Sequence, residues 1–318
     1  MTTVPIIIDT DPGLGEPGSV IDDGLAIALA LASPELDVLG LTVVNGNVGA
    51  LTGYALAHDL LERLGRADVP LRLGATDPLR QDMAHVREVF GSAEPTGTTS
   101  PPAGVTADAA QWLVEQVSAQ PGEITLAAIG PLTNVAEAVR LDPGFASKVA
   151  EVVVMAGNGP AGAPGTGTDL PDFNIFVDPE AADLVLRSGA KIRSIGIDQT
   201  CRVRLTTQDV ASLRARGSGD GVSAWLGDRV DAWIERESNG ASHDREPFCL
   251  LHDPLVIATI LRPELCEFAD VEVAVDLGQG RLVQVTGEST DGIAKVSAAV
   301  DTDVAAVHTL ILDRIAAL

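Results

Sequence analysis

Short runs of apolar, often β-branched residues alternate along the chain with longer Ala- and Leu-rich segments of helical period. The short runs predict strands over residues 4–9, 36–44, 123–128, 151–155 and 191–197. The longer segments predict helices over residues 24–33, 50–64, 108–119, 132–141 and 179–187. This alternation predicts an α/β fold with an open, mostly parallel, Rossmann-like sheet that is flanked by helices on both faces. In such folds the active site lies at the C-terminal ends of the strands.

The rest of the chain adds to this unit without dividing it. Residues 206–239 are predicted to be helical, residues 271–288 to form a β-hairpin, and residues 304–318 to form the last helix. We find no internal repeat and no long linker, so residues 1–318 are expected to form one domain. Two Gly/Pro-rich stretches, residues 91–104 and 157–171, are expected to be active-site loops or simple surface loops.

The chain is strongly acidic, with 45 acidic against 21 basic residues and a formal net charge of −24. Such a surface repels phosphate backbones and anionic lipids, so nucleic-acid and membrane binding are not expected. An uncharged small molecule or a metal cation suits it better, although excess acid also serves solubility. Aromatic residues make up only 3%, so the core is expected to consist of Ala, Val, Leu and Ile.

The cysteines and the N-terminal residues bear on location. Cys201, Cys249 and Cys266 lack metal-binding spacing, and their odd number suits packing residues in a reduced compartment. The first residues carry neither a basic region nor a long apolar stretch, so no signal peptide and no transmembrane span are expected. A cytoplasmic location follows as the default expectation.

Aspartates cluster where the first strand meets the first helix. Asp9 and Asp11 stand at alternate positions at the end of that strand, so their side chains share a face. Asp22 and Asp23 precede the helical run. Carboxylates brought together repel one another unless a cation lies between them, and Ca²⁺ takes six to eight oxygen ligands. A capping role accounts for Asp22 or Asp23 but leaves the others unexplained.

A second candidate lies near the C-terminus, at His252-Asp253-Pro254 before an apolar run. Asp followed by Pro fits a helix N-cap, as it does at Asp178-Pro179. Considered by itself, Asp253 is therefore either a helix cap or a metal ligand. His252 is a candidate proton donor, because histidine is the usual one near neutral pH, or else a structural residue.

Three further segments place polar groups after predicted strands. They are Gly130-Pro131-Leu132-Thr133-Asn134, Asp172-Phe173-Asn174 and Asn45-Gly46-Asn47. In the second, an acid and an amide flank an aromatic ring, which suits sugar hydroxyls and an apolar contact. Each segment is also explained as a turn.

Together these motifs resemble the inosine–uridine nucleoside hydrolase family over nearly the whole chain. That family opens with Asp-x-Asp-Pro-Gly and then Asp-Asp, which here are Asp9, Asp11, Asp22 and Asp23. Its Thr-Val-x-Gly-Asn step matches residues 42–47 with one extra residue. Its Gly-Pro-Leu-Thr-Asn, Glu-Phe-Asn-Ile and His-Asp-Pro motifs match residues 130–134, 172–175 and 252–254.

The resemblance implies hydrolysis of the N-glycosidic bond of ribonucleosides to ribose and free base. It implies a Ca²⁺ ion held by Asp11, Asp23, the main-chain carbonyl of Thr133 and Asp253, with Asp9 in support. The ion would bind the attacking water and lower its pKa while Asp11 takes the proton, and His252 would protonate the leaving base. The implied ribose ligands are Asp22, Asn47, Asp172 and Asn174. A homodimer or homotetramer is expected.

The chain departs from the family pattern in four places. Residues 15–21 separate Asp-Pro-Gly from Asp-Asp, and we expect them to bulge outward at the rim, toward the base or a neighbouring subunit. Asp172 replaces the usual Glu, Thr166 stands at a loop Asn, and His85-Val86-Arg87-Glu88 matches a His-x-His-Gly loop only in part. The last three bear on substrate range.

Other functions fit parts of the pattern. A haloacid-dehalogenase-like phosphatase also starts with a strand ending in Asp-x-Asp, but it needs a supporting lysine. Lys148, Lys191 and Lys295 have no matching context. An inactive nucleoside- or ribose-binding homologue is a non-enzymatic alternative. A modified ribosyl compound is an alternative substrate.

Overall fold

A large sheet with helices on both faces forms the centre of the molecule. The computed structural model describes residues 3–16, 19–90, 104–157, 172–216, 221–238, 248–285 and 292–318. The strands of this part are β1 Val4–Thr10, β2 Leu36–Val43, β3 Leu71–Leu73, β4 Thr125–Ala128, β5 Glu151–Met155, β6 Ile192–Ile195, β7 Arg204–Thr206, β8 Phe248–Leu250, β9 Cys266–Asp276, β10 Arg281–Gln284 and β11 Ala294–Thr302.

Helices connect most of these strands. They are α1 Asp22–Leu31, α2 Ala50–Arg63, α3 Met83–Phe90, α4 Ala109–Ala119, α5 Thr133–Leu141, α6 Phe145–Lys148, α7 Phe173–Val177, α8 Pro179–Leu186, α9 Ile197–Thr200, α10 Thr207–Arg216, α11 Val222–Ser238, α12 His252–Leu261 and α13 Val304–Ala316. A 3₁₀ turn, Pro263–Leu265, follows α12.

The order of the strands locates the expected ligand site. In the described chain the main sheet has the order β10-β9-β11-β6-β5-β4-β1-β2-β3. Strands β1 to β6 are parallel and follow the doubly-wound order 3-2-1-4-5-6. That order reverses between β1 and β4, and the crevice outside the carboxyl ends of strands at such a reversal is where ligands bind.

Each face of the sheet buries a separate set of apolar side chains. Alternate residues of a strand point to opposite faces, so Ile6 and Ile8 join one cluster and Ile7 the other. Helices α1, α12 and α13 cover the first face, and α4, α5 and α8 cover the second. The core is mainly aliphatic, as the low aromatic content predicted.

The predicted α/β architecture is confirmed. The short strands β3, β7 and β8 were not predicted, and two further segments need correction. The hairpin predicted over residues 271–288 exists as β9 and β10, but β11 also pairs antiparallel with β9 and parallel with β6. Strand β11 was missed because Lys295 and other polar residues interrupt its apolar pattern. The helix predicted over residues 206–239 is two helices, α10 and α11.

The sheet takes strands from both ends of the chain. Most of the two Gly/Pro-rich stretches, residues 91–103 and 158–171, lies outside the described residues. Among the described helices, none has the length and hydropathy needed to cross a bilayer.

Candidate active site

The ends of three strands meet at the reversal of the sheet. The amides of Ile129 and Gly130, just after β4, donate to the carbonyl oxygen of Asp9 at 2.8 and 3.2 Å. The amide of Val44, after β2, donates to the carbonyl oxygen of Thr10 at 2.9 Å. The polar segments that follow β1, β2 and β4 therefore converge at one edge, as expected for a parallel sheet.

Helix α1 begins directly against the end of β1. The Asp23 carboxylate accepts hydrogen bonds from the Thr10 hydroxyl at 2.6 Å and from the Asp11 amide at 3.2 Å. Asp23 thus points toward Asp11, and the longer connection between them does not separate the two residues. The expectation that Asp22 and Asp23 stand at the start of the helix is met by α1, which begins at Asp22.

Asp22 joins the N-terminus of α1 to that of α12. Its Oδ2 accepts hydrogen bonds from the amides of His252 at 3.1 Å and Asp253 at 3.2 Å. The N-termini of two helices therefore meet at these carboxylates. The partial positive charge of a helix N-terminus offsets part of the cost of burying negative side chains there.

Three carboxylates form a cluster that could hold a metal ion. Asp22, Asp23 and Asp253 each offer one oxygen, and these atoms lie within 4.8 Å of one another. Asp11 lies beside them, with its Oδ2 bonded to the amide of Asn47 at 2.7 Å. Gly46 allows this approach, because a Cβ atom there would lie 1.9 Å from the Asp11 Oδ2. We call Asp11, Asp22, Asp23 and Asp253 the aspartate cluster.

The aspartate cluster and the nearby Asp9 and Asp172 bring together more buried carboxyl groups than the surrounding donors can neutralise or hydrogen-bond. Burial raises the pKa of Asp9, Asp23 and Asp172 to about 7 and that of Asp22 to about 6. Burial and neighbouring carboxylates raise the pKa of Asp11 and Asp253 well above the usual range. Buried oxygens without a hydrogen-bond partner occur in Asp9, Asp11, Asp22 and Asp172. A hard cation fits this donor set, because its positive charge balances the carboxylates and it is readily coordinated by their oxygens.

These pKa shifts predict how the metal-free protein responds to pH. A carboxyl group whose pKa is higher in the folded than in the unfolded state stabilises the fold below the unfolded value of 3.8 and loses that contribution as pH rises to about 7. We expect the melting temperature of the chelated protein to fall between about pH 5 and about pH 8. Metal-loaded protein should show a smaller fall. A flat or rising profile for the chelated protein would contradict this prediction.

A cavity of about 270 Å³ opens beside the aspartate cluster. It is lined by Asp22, Asn47, Asp172, Phe173, Asn174, His252 and Asp253 among the residues singled out from the sequence. The fully buried Asp9, Asp11, Asp23 and Thr133 are not among its lining residues. The structure therefore brings the predicted substrate residues to the cavity and places most of the predicted metal ligands behind them.

Hydrogen bonds fix the cavity side chains from behind. Asn47 donates from Nδ2 to Asp23 at 3.2 Å, and Asn174 donates from Nδ2 to the carbonyl oxygens of Ile129 and Met155. Asp172 caps α7 by accepting from the amide of Ile175 at 2.9 Å, which leaves its other oxygen unpartnered. These side chains are held in place before any ligand arrives.

Thr133 is anchored by a residue that the sequence analysis treated only as a helix cap. Asp178 does cap α8, but its Oδ2 also accepts from the Thr133 hydroxyl at 2.7 Å and from the Leu79 amide at 2.8 Å. Asp178 therefore fixes the start of α5, where Thr133 lies. No local motif indicated this contact, because the two residues are distant in sequence.

His252 lies at the cavity with one ring nitrogen already engaged. Its Nδ1 is 2.7 Å from the hydroxyl of Thr200. Burial lowers the pKa of His252 to about 4, so the ring is neutral at pH 7. A histidine of ordinary pKa is protonated in part at pH 7, whereas this ring is almost entirely neutral.

In its described part, the connection between β1 and α1 does not bulge outward as expected, although it does reach the cavity, where contact with the base was one of the two expectations. Leu14 and Ile21 are fully buried in the core cluster of α1, and only Pro17 and Gly18 lie outside the described residues. Ser19 and Val20 line the cavity. The loop folds inward because its apolar side chains gain more from burial than from exposure at a rim.

Some cavity residues were not singled out as site residues from the sequence. They are Phe90, Ile129, Met155 and Ile197, together with Ser19 and Val20 of the inserted stretch that was expected near the base or a neighbouring subunit. Phe90 packs edge-on against Phe173 with ring centroids 5.0 Å apart. The partial loop motif at residues 85–88 belongs to α3, which ends at Phe90, and Thr166 lies outside the described residues.

The fold and this geometry define a class. A doubly-wound sheet carries a buried aspartate cluster at its strand-order reversal, beside a cavity with carboxylate, amide and aromatic side chains. This arrangement is typical of an α/β enzyme that binds a metal ion and a polyhydroxylated small molecule.

The chain belongs to the family described as inosine-uridine preferring nucleoside hydrolase, whose model matches residues 6–309. The resemblance seen in the motifs is thereby confirmed. As a member of this family, the protein hydrolyses the N-glycosidic bond of ribonucleosides.

Individual relatives agree with this assignment. The probable uridine nucleosidase 2 of Oryza sativa subsp. japonica is 36% identical over 86% of this chain and 79% of its own length. The pyrimidine-specific ribonucleoside hydrolase RihA of Citrobacter koseri is 34% identical over 88% of this chain and 86% of its own. A solved plant nucleoside hydrolase superimposes with a TM-score of 0.80 at 33% identity, covering 99% of both chains.

Proposed function

We propose that the protein is a calcium-dependent hydrolase of pyrimidine ribonucleosides such as uridine, which it converts to ribose and free base. The observation that carries this proposal is the aspartate cluster beside a cavity lined by Asp22, Asn47, Asp172 and Asn174. Pyrimidine nucleosides come first because the similar rice and Citrobacter proteins are named for them.

Calcium is the metal that the donor set supports best. The proposed ligands are Asp11, Asp23, Asp253 and the main-chain carbonyl of Thr133, with Asp9 in support. All are oxygen donors, which suit Ca²⁺ and not Zn²⁺. Among the described residues, Asp22, Asp23 and Asp253 offer carboxylate oxygens that lie within 4.8 Å of one another, so Asp22 is a further candidate ligand.

The proposed chemistry divides the aspartates by position. A bound calcium ion would supply a Lewis acid that lowers the pKa of water. Asp11, with its raised pKa and one unpartnered oxygen, is the proposed acceptor of the proton from that water. The remaining carboxylates stabilise the positive charge that develops on the ribosyl ring as the N-glycosidic bond breaks.

Ribose recognition falls to side chains that are already fixed. Asp22 and Asp172 each keep one unpartnered buried oxygen for a hydroxyl group. Asn47 and Asn174 line the same cavity, and Phe173 offers an apolar surface between the polar groups. Prior fixation lowers the entropic cost of binding, which supports their proposed role.

His252 is the proposed donor of a proton to the leaving base. Because burial lowers its pKa to about 4, only a small fraction of the ring carries the second proton at neutral pH. The proposed donor is that protonated form, which becomes a neutral imidazole when the base takes the proton. We expect His252→Ala to lower kcat on uridine by on the order of 10²-fold, the usual scale for a lost general acid. A ribosyl substrate whose leaving group needs no proton, such as p-nitrophenyl riboside, should be much less affected. Equal losses on both substrates would make His252 a binding residue only.

The rival functions gain little support from the described residues. Lys148, Lys191 and Lys295 form ion pairs with Asp142, Glu151 and Glu272. None of them lines the cavity, where a phosphatase would need one. An inactive ribose-binding homologue differs from an enzyme in releasing no free base, which the nucleoside panel measures. A modified ribosyl compound as substrate is tested together with the nucleosides.

Three expectations from the sequence stay predictions. They are a cytoplasmic location, assembly into a homodimer or homotetramer, and a single domain over residues 1–318. Light scattering of the purified protein tests the second of them.

A nucleoside panel tests the proposed function. Purified protein is incubated with uridine, cytidine, inosine and adenosine, with and without chelator, and free ribose is measured. We expect ribose from the pyrimidine nucleosides at the highest rate, with loss after chelation. Tight nucleoside binding without release of base would instead favour the inactive homologue.

A further inference from the structure

The loop between β1 and α1, residues 13–16 and 19–21, is held from outside by helix α11. Arg229 donates from Nη1 to the carbonyl oxygen of Leu14 at 2.7 Å. The same atom lies 3.3 Å from the carboxylate of Glu16. A bond to a main-chain carbonyl fixes the path of the backbone and not only the rotamer of one side chain. We call residues 13–16 and 19–21 the β1–α1 loop.

A second arginine of α11 continues this contact. Arg236 donates from Nη2 to the carbonyl oxygen of Gly15 at 2.6 Å. The guanidinium carbon of Arg229 lies 4.7 Å from the centre of the Trp225 ring, which helps to hold the arginine in place. The guanidinium carbon of Arg63 in α2 lies 4.6 Å from the centre of the same ring. We call Arg229 and Arg236 the arginine clamp. It joins the loop to α11, and Trp225 joins it further to α2.

The β1–α1 loop has a backbone that needs such support. Leu14 has a φ of 46°, the one positive φ at a non-glycine among the described residues. A leucine adopts this conformation only where its surroundings impose it. Inside the loop, the amide of Gly15 donates to the carbonyl oxygen of Val20 at 2.8 Å, and the hydroxyl of Ser19 donates to the carbonyl oxygen of Glu16 at 2.8 Å.

The loop presents Val20 to the nucleoside cavity. Ser19 and Val20 both line it, but the Ser19 hydroxyl is engaged within the loop. Val20 is therefore the apolar group that the loop contributes. Under the proposed function, ribose engages the carboxylates and amides, so the flat base meets the apolar lining, to which Val20 belongs.

We propose that Val20 is a specificity-determining residue for the base and that the arginine clamp is its positioning device. This inference rests on the proposed function and names how the substrate class is selected. The clamp holds the side chain of Val20 at the edge of the cavity, where it limits the space for the base. This space admits a pyrimidine and disfavours the larger purine. Arg229 and Arg236 act through the loop, without a contact to the substrate.

The role of Val20 is tested by changing the size of its side chain. Val20→Ala should raise the ratio of kcat/KM for inosine to that for uridine by roughly 10-fold or more, the scale of a methylene-sized change in an apolar pocket. Val20→Leu should lower the same ratio. An unchanged ratio in both variants, with uridine still hydrolysed, would overturn the role of Val20 and leave the proposed function intact.

The clamp is tested by two readouts. Arg229→Leu should raise the inosine-to-uridine ratio as Val20→Ala does, and should speed hydrogen exchange at the amides of Gly15, Glu16 and Ser19. Arg229→Lys, which can still donate to the Leu14 carbonyl, should restore part of both. The matched control is Arg214→Leu, because Arg214 of α10 pairs with Asp228 and Asp231 of α11 and makes no hydrogen bond or ion pair with the described part of the loop.

The outcomes separate the two claims. Faster exchange together with a changed ratio in Arg229→Leu, and neither in Arg214→Leu, supports the inference. Protected amides or a wild-type ratio in Arg229→Leu overturns the clamp. If the wild-type protein hydrolyses no nucleoside, the proposed function fails and the specificity inference falls with it.

Discussion

Asp11→Asn is expected to lower kcat on uridine by on the order of 10²-fold or more, the usual scale for the loss of a general base. The amide cannot take a proton from water, although it keeps an oxygen for the hydrogen bond from the Asn47 amide. Initial rates over a range of uridine concentrations measure the change. Turnover near that of the wild type would remove Asp11 from the proposed mechanism.

The same substitution should have the opposite effect on stability. In metal-free protein, Asp11 is a buried carboxyl beside Asp22 and Asp23, which raises its pKa well above the usual range. Replacing it with a neutral amide removes that repulsion, so the melting temperature of the chelated variant should rise above that of the chelated wild type. A lower melting temperature would mean that the loss of activity reports damage to the fold.

Asp303→Asn supplies the matched control for this change. Asp303 caps α13 by accepting from the amide of Ala306, far from the cavity, and asparagine caps a helix about as well as aspartate. We expect wild-type kcat and an unchanged response to chelator in this variant. A comparable loss in Asp303→Asn would show that any Asp-to-Asn change impairs the enzyme.

Removal of the metal ion is expected to have a still larger effect. Exhaustive chelation should lower the rate by at least about 10³-fold, because Lewis-acid activation contributes several kcal/mol to catalysis. Added Ca²⁺ should restore the activity, and elemental analysis of the untreated protein should find about one Ca²⁺ per chain. Full activity after chelation, or stoichiometric zinc, would contradict the proposed calcium site.

A variant ties this effect to the aspartate cluster. Asp253→Asn keeps the start of α12 and its bonds from the His252 and Asp253 amides to Asp22, but it removes one charge from the trio that lies within 4.8 Å. We expect it to need a higher Ca²⁺ concentration for half-maximal activity. An unchanged calcium requirement would place the ion elsewhere.

The sequence predicted the scaffold well because its signals are local. Short apolar runs located five of the parallel strands, β1, β2, β4, β5 and β6, but not the three-residue β3. Asp-x-Asp at the end of β1 marked the edge where the site lies. The motif residues Asp11, Asp22, Asp23 and Asp253 do come together there. Their meeting follows from strand order, which the βαβ pattern constrains.

The parts that sequence analysis missed depend on contacts between distant residues. Arg229 reaches the carbonyl of Leu14 across 215 positions, and no local pattern announces a bond to a backbone atom. The same reason hid the bond from Thr133 to Asp178 and the pairing of Thr200 with His252. Burial of Leu14 turned the loop inward, where an exposed bulge had been expected.

The central claim is that the aspartate cluster serves metal-dependent hydrolysis of a nucleoside. The most direct measurement is the product analysis of uridine incubated with the calcium-loaded protein in phosphate-free buffer. We expect free ribose and uracil in equal amounts, with neither formed after chelation. Uridine that binds but remains intact, or product formation that chelation leaves unchanged, would contradict it.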